Sequence, residues 1–455
     1  MNALIKFIVL LIALAIGNVI YKINTKESVK VPPETWWGPG DPSKEDTRIV
    51  PFKIQVPNQI LEDLRQRLKN ARKFAPPLEG VHQHYGINTN LLKEIVNYWL
   101  TKYDWREREN FLNQYPQFKT NIQGLDVHFI HVKPKNVPSG VKTQPLLLVH
   151  GWPGSVREFY EIIPLLTTVQ KDKKFVFEVI IPSLPGYGFS QAAVRPGLGA
   201  HQTAVIFKNL MKRLGFDRYY VQGGDWGSAV TSAMALYYPD RVKGIHLNMC
   251  VSNSYLAKLK LLAGSVWPSL VVEEKQKHKI YPLSNYFSNA LLEFGYMHLQ
   301  ATKPDTIGVA LNDSPVGLAA YIIEKFTTWT NPEWKNRADG GLLERFTYDK
   351  ILDNIMIYWV TNSITTSMRI YAESINKESN VFDDRAVITV PSACALFDHE
   401  IIYQPVSIFK DRFAKLVQVN EYDGGHFAAF EVPESLAKDI WLAVSKFEEP
   451  PKPNK

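Results

Sequence analysis

The stretch Gln222-Gly223-Gly224-Asp225-Trp226-Gly227-Ser228 constrains the fold of this chain more than any other. Tyr219-Tyr220-Val221 precedes it with the residue types of a strand, and Ala229 to Leu236 follows with those of a helix. A strand, a tight glycine-rich turn and a helix in that order build a corner that lifts one side chain above a sheet. Gly223 and Gly227 are the small neighbours that let strand and helix pass closely. The lifted residue is Asp225, where the commoner corner carries serine. A carboxylate is a poor reagent for acyl transfer but attacks a saturated carbon, leaving an alkyl ester that water must hydrolyse. Taken alone, Asp225 is read equally well as a cap of the following helix, because Asp is a favoured N-cap.

The neighbouring segments extend the same architecture. Gln123-Gly124 is the turn of a hairpin between Thr120-Asn121-Ile122 and Leu125 to Ile130. Pro145 to Val149 is a continuous apolar run, as expected of a strand buried on both faces, and it ends in His150-Gly151-Trp152-Pro153-Gly154. A further strand is predicted over 177–182 and a helix over 203–214. Strands alternating with helices imply a mostly parallel α/β sheet with right-handed crossovers and helices on both faces. Beyond Val251 the pattern turns to helical stretches rich in Leu, Tyr and Trp, read as an α-helical cap inserted into the sheet. Strand signals return at 386–390 and 416–419, and a helix over 436–447 closes the core. The predicted division is a membrane anchor (1–22), an N-terminal arm (23–117), the first part of the core (118–250), the cap (251–380) and the second part of the core (381–455). The arm holds two predicted helices, 57–68 and 89–102, the first with Ile60, Leu61, Leu64 and Leu68 on one face.

Phe7 to Tyr21 carries no charge; with Ala3, Leu4, Ile5 and a snorkelling Lys6 it reaches about 28 Å as a helix, close to the thickness of a bilayer's hydrocarbon. A retained single-pass anchor is the favoured reading, against a signal peptide cleaved near Ala13-Leu14-Ala15. Lys22, Lys26 and Lys30 follow the segment, which favours a cytoplasmic catalytic body. A net charge of +7 with lysines dispersed among acids gives no basic run for nucleic acid and is compatible with attraction to an anionic membrane surface. Two cysteines, Cys250 and Cys394, lack ligand-like spacing, exclude a disulfide framework and point to a reducing compartment.

A carboxylate on such a corner needs a base, an acid that orients the base, and donors for an oxyanion. The late Gly424-Gly425-His426-Phe427 places a histidine just after a predicted strand, where it can take a proton from water. The orienting acid is expected after the preceding strand, where Asp398 and Glu400 both stand and chemistry alone does not choose. The oxyanion donors are expected to be the backbone N–H groups of Trp152 and Trp226. No cluster of His, Cys or acids has metal-ligand spacing, and no nucleotide fingerprint occurs, so neither metal nor other cofactor is expected.

The motifs around Asp225, His150 to Ser155 and Gly424 to Glu431 together resemble the microsomal epoxide hydrolases of the α/β-hydrolase superfamily. The resemblance runs through nearly the whole chain, including the anchor, Trp36-Trp37-Gly38-Pro39 and Lys303-Pro304-Asp305-Thr306. Val194 to Gly199, Tyr358 to Ser363 and Asp398-His399-Glu400 are similar to the insect branch, the juvenile hormone epoxide hydrolases. The resemblance implies an endoplasmic reticulum membrane protein that turns a lipophilic epoxide into a vicinal diol, with juvenile hormone first and foreign epoxides second. It implies Glu400 as the acid, although the Asp398-His399 flank departs from the wider family and keeps Asp398 in play. It also implies Tyr296 and Tyr371 as donors to the epoxide oxygen, a role that suits phenols neutral at pH 7. Two other readings compete: a haloalkane dehalogenase, which would need halide donors and no tyrosine pair, and a lipid-binding protein without turnover.

Overall fold

The computed structural model describes residues 29–42, 45–376 and 386–449, together with Gly17 and Tyr21. The expected anchor lies outside the described residues apart from those two, as does 377–380 at the end of the expected cap. Among the described residues no single helix is long and apolar enough to cross a membrane.

Nine strands join in one sheet among the described residues. In chain order they are β1 (Ile49–Phe52), β2 (Gln117–Ile122), β3 (Leu125–Val132), β4 (Lys142–Val149), β5 (Phe175–Pro182), β6 (Tyr219–Gly223), β7 (Val242–Leu247), β8 (Ile388–His399) and β9 (Phe413–Gly425). Their spatial order is β1-β2-β3-β5-β4-β6-β7-β8-β9. The hairpin side, from β1 to β5, is antiparallel; every pair from β5 to β9 is parallel. Leu146, Leu147, Leu148 and Val149 are all buried, which is why β4 reads as an unbroken apolar run rather than an alternation. Helix Asp225–Tyr237 packs on the central strands, and helix Pro433–Phe447 packs on β7, β8 and β9.

Two strands escaped the sequence. Ile49-Val50-Pro51-Phe52 is short and interrupted by proline, and only its pairing with β2 makes it an edge strand, so the arm contributes to the sheet. In β7, Gly244 and His246 break the apolar pattern. A Cβ at Gly244 would stand 2.5 Å from the Phe447 ring, and buried His246 meets buried Asp439 at 2.8 Å. The reading of a reducing compartment is also corrected: Cys250 and Cys394 form a disulfide that ties the loop after β7 to β8, so the cysteines no longer argue for it.

Between β7 and β8 the chain is helical from Tyr255 to Ser374, forming the inserted layer over the sheet. One of its helices, Tyr348–Thr361, fastens that layer to the turn after β4. Asn354 donates to the carbonyl of Pro153 at 2.8 Å, the Tyr358 hydroxyl to that of Gly154 at 2.6 Å, and Ser155 to the Asn354 side chain at 2.7 Å. Beneath them Asp353, fully buried, accepts from Arg157 at 2.9 Å and from Arg108 of the arm at 2.6 Å. One carboxylate therefore joins arm, turn and cap. Replacing Asp353 with alanine leaves the buried Arg157 guanidinium with Glu161 alone and takes the anion from Arg108, and losing one partner of a buried pair costs about 3–5 kcal/mol. Chemical denaturation of Asp353→Ala is expected to show that loss; a change below about 1 kcal/mol, the value of an exposed pair, would contradict it.

Candidate active site

Asp225 opens its helix with φ of +50°, a left-handed conformation that Asp adopts more readily than most residues and that costs about 1–2 kcal/mol. The surrounding backbone explains why the corner holds. A Cβ on Gly223 would lie 2.3 Å from the Gly227 carbonyl oxygen, and one on Gly227 would lie 1.9 Å from that of Val149. Strand and helix thus cross in backbone contact, and the chain has no room to relax Asp225. A Cβ on Gly151 would stand 2.1 Å from Asp225 Oδ1, so the carboxylate lies directly against the turn after β4. There the Trp152 N–H donates to Oδ1 at 2.8 Å. The Trp152–Pro153 peptide is cis. Trp226 is the second residue of the helix, and its N–H belongs to the first turn, where no partner exists within the helix.

His426 follows β9, as its place after a strand-like run predicts. Its backbone N–H donates to the Trp329 carbonyl at 2.9 Å, and its ring meets the Trp329 indole edge-on at 5.0 Å. Nε2 stands 3.4 Å from Asp225 Oδ2 and Nδ1 stands 2.6 Å from Glu400 Oε1. The same glutamate oxygen accepts the Ile401 N–H at 2.7 Å, which fixes the carboxylate. Asp398 does not reach the site; it is half exposed and pairs with Lys279 at 3.3 Å. Geometry therefore brings Glu400, and not Asp398, to the imidazole. Burial alone would lower the pKa of His426, but the charges of Glu400 and Asp225 outweigh it and hold the imidazolium well above 6.5.

Tyr296 lies on helix Gly295–Thr302 and Tyr371 on helix Ile364–Ser374, both in the cap and both buried. Desolvation raises both phenols well above their ordinary value of 10, with the Asp225 charge adding to it, so each remains a protonated donor at neutral pH. Among the described residues no hydrogen-bond partner reaches the buried Tyr371 hydroxyl. The Tyr296 ring stacks on the Trp152 indole at 5.4 Å, and Tyr371 stands edge-on to Trp226 at 4.7 Å. Asp225, Trp226, Tyr296 and Tyr371 line one cavity of about 130 Å³, completed by apolar side chains including Phe294, Met297, Ile375 and Ile388.

Of the residues singled out from the sequence, Asp225, His426, Glu400, Tyr296, Tyr371, Trp152 and Trp226 thus stand together, and Asp398 stands apart. Sequence reasoning missed their supports. Trp329 holds His426 by backbone and ring, yet it is one aromatic residue among many. Glu431 ends the motif that carries His426, and its role becomes visible only in space: its carboxyl accepts the N–H groups of Gly425 and Phe427 at 2.7 and 2.8 Å, clamping the backbone on both sides of the imidazole. Among the described residues no three His, Cys, Asp or Glu side chains group as metal ligands would.

Known proteins resemble the chain in sequence and in fold. A family profile described as the epoxide hydrolase N terminus matches residues 49–159, and one for the alpha/beta hydrolase fold matches 144–392. The chain is 53% identical to juvenile hormone epoxide hydrolase 1 of Ctenocephalides felis, covering 95% of this chain and 93% of that one. It is 46% identical to epoxide hydrolase 1 of Sus scrofa, covering 95% of this chain and 97% of that one. The crystal structure of juvenile hormone epoxide hydrolase from the silkworm Bombyx mori superposes with a TM-score of 0.89 at 52% identity, over 92% of this chain and 99% of that one. A carboxylate on a strained corner, similarity that runs through almost the entire chain and a shared fold lead to one conclusion: this protein belongs to the epoxide hydrolases of the α/β-hydrolase fold.

Proposed function

We propose that this hydrolase opens a lipophilic epoxide by way of an ester on Asp225, and that juvenile hormone is its first substrate and foreign epoxides its second. The observation that carries the reading is the position of the Asp225 carboxylate. One oxygen is held by the Trp152 N–H, the other stands 3.4 Å from His426, and the residue lines the cavity that also contains both buried phenols. Oδ2 attacks an oxirane carbon while Tyr296 and Tyr371 donate to the oxygen that departs. Oδ1 becomes the ester carbonyl oxygen and stays at the Trp152 amide, with the Trp226 amide as the expected second donor, where the second step develops negative charge. Esterification removes the Asp225 charge, one of the causes that keep His426 protonated. Its pKa falls, and the neutral imidazole, oriented by Glu400, takes a proton from water as that water attacks the ester. The tyrosine pair favours this reading over a dehalogenase, whose departing halide needs no phenols.

The substrate reading rests on the relatives' names and on the apolar lining of the cavity. A membrane reading has separate support. Besides the N-terminal segment, the cap helix Tyr255–Val266 and the turn after it expose Leu262, Val266, Trp267 and Leu270, and helix Leu283–Glu293 exposes Phe287, Leu291 and Leu292. Apolar side chains of this kind suit a bilayer surface from which a greasy epoxide would be drawn. We place the protein on the endoplasmic reticulum membrane, with the body on the cytoplasmic side by the lysine bias that follows the anchor; the disulfide weighs against that orientation.

In His426→Gln the second step is expected to stall. The peptide carrying Asp225 then gains the mass of the substrate, and turnover falls by about 10²–10⁴-fold. Adduct formation should be faster with juvenile hormone than with styrene oxide. The opposite order would assign the enzyme to foreign epoxides, and no adduct with either would overturn the ester route. Washing membranes with alkaline carbonate should leave the full-length protein in the pellet; its release would remove the anchor.

A further inference from the structure

Asp225 is shared by two cavities, and the smaller one has no role in the chemistry above. Its volume is about 20 Å³, and its lining includes Gly151, Gly224, Asp225, His426, Phe427 and Glu158. A space of about 10–15 Å³ accommodates one water, provided that two to four polar groups face it. Asp225, His426 and Glu158 supply those groups.

Glu158 is the unexpected member. It lies on the short turn Val156–Phe159, where the cap helix has already fixed the preceding backbone. Its carboxyl lies where a side chain at position 154 would begin: a Cβ on Gly154 would be 1.3 Å from Oε1. The glycine of the turn after β4 therefore makes room for an acid from one turn further on. Among the described residues no lysine or arginine pairs with Glu158. Burial pushes its carboxyl up to about 8, against the pull of the His426 charge. A desolvated acid without a cation costs stability, so its place beside the nucleophile and base calls for a function.

We propose that Glu158 holds the water that hydrolyses the alkyl-enzyme, a role that rests on the ester route described above. The water sits in the small cavity with one hydrogen toward His426 Nε2 and the other on a Glu158 carboxyl oxygen. That leaves a lone pair aimed at Asp225 Cγ. The water oxygen bonds to Cγ, its first proton passes to Nε2, and the charge goes to Oδ1 at the backbone amides. Collapse then breaks the bond from Cγ to the alkyl oxygen, which takes the proton back from His426 and leaves as the diol. Glu158 exchanges no net proton; it positions one hydrogen of the nucleophile. Substrate enters one cavity and water the other, so water is kept from the oxirane until the ester exists.

The two half-reactions separate this role from a merely structural one. In Glu158→Leu of the full chain, which removes the acceptor, with styrene oxide as probe, single-turnover alkylation should stay within about twofold of the parent enzyme while ester hydrolysis falls about 10–100-fold. The alkyl-enzyme then dominates at steady state, and kcat and KM fall together. Glu158→Asp, with its carboxyl drawn back by one methylene, should fall between the two. Equal slowing of both phases, an unchanged hydrolysis phase, or failure of both variants to fold would overturn the role. Absence of an adduct in the parent enzyme would remove the ester route itself, a result distinct from all of these.

Discussion

Backbone contact between β4, β6 and the helix that begins at Asp225 is the constraint on which the site depends. Gly223 and Gly227 allow that contact, and because it is close, the left-handed conformation of Asp225 has no way to relax. The strain is held by the most buried part of the sheet, so the carboxylate stays fixed against the Trp152 amide instead of turning to cap the helix in the ordinary way. From that fixed point the remaining parts are set by strand ends. β8 delivers Glu400, β9 delivers His426, and the turn after β4 delivers Trp152.

The second organising feature is a cluster of charge that changes during the reaction. Two carboxylates flank one imidazole in a buried site, and each raises its pKa. In the proposed reaction, attack on a carbon neutralises one of them, and the imidazole loses part of what kept it protonated. The base is thus released by the step that creates its substrate. The aromatic enclosure of Trp152, Trp226, Trp329, Tyr296 and Tyr371 excludes bulk water and keeps these charges strongly coupled.

Much of this was legible in the sequence because it is local. The corner, the late histidine and the glycine-rich turns each occupy a few consecutive residues whose types follow from backbone geometry. What stayed hidden depends on residues far apart in the chain. Between Asp398 and Glu400 the fold chooses: Asp398 faces outward, where Lys279, more than a hundred residues away, meets it. β1 exists only through its register with β2, and β7 is masked by a histidine whose burial depends on Asp439. Cys250 and Cys394 carry no spacing signal, yet adjacent strands bring them together. Glu158 lies inside a motif read for its backbone, and nothing short of the fold reveals that its carboxyl fills the space left by Gly154.

The account stands on covalent attachment of the ligand to Asp225, and an oxygen isotope tests it most directly. In a single turnover with enzyme in excess in water enriched in ¹⁸O, the added oxygen of the first diol should be unlabelled, because it comes from the Asp225 side chain. The label should appear in the peptide that carries Asp225. Labelled oxygen in that first diol, with an unlabelled Asp225, would show that water attacks the epoxide directly and would contradict the account.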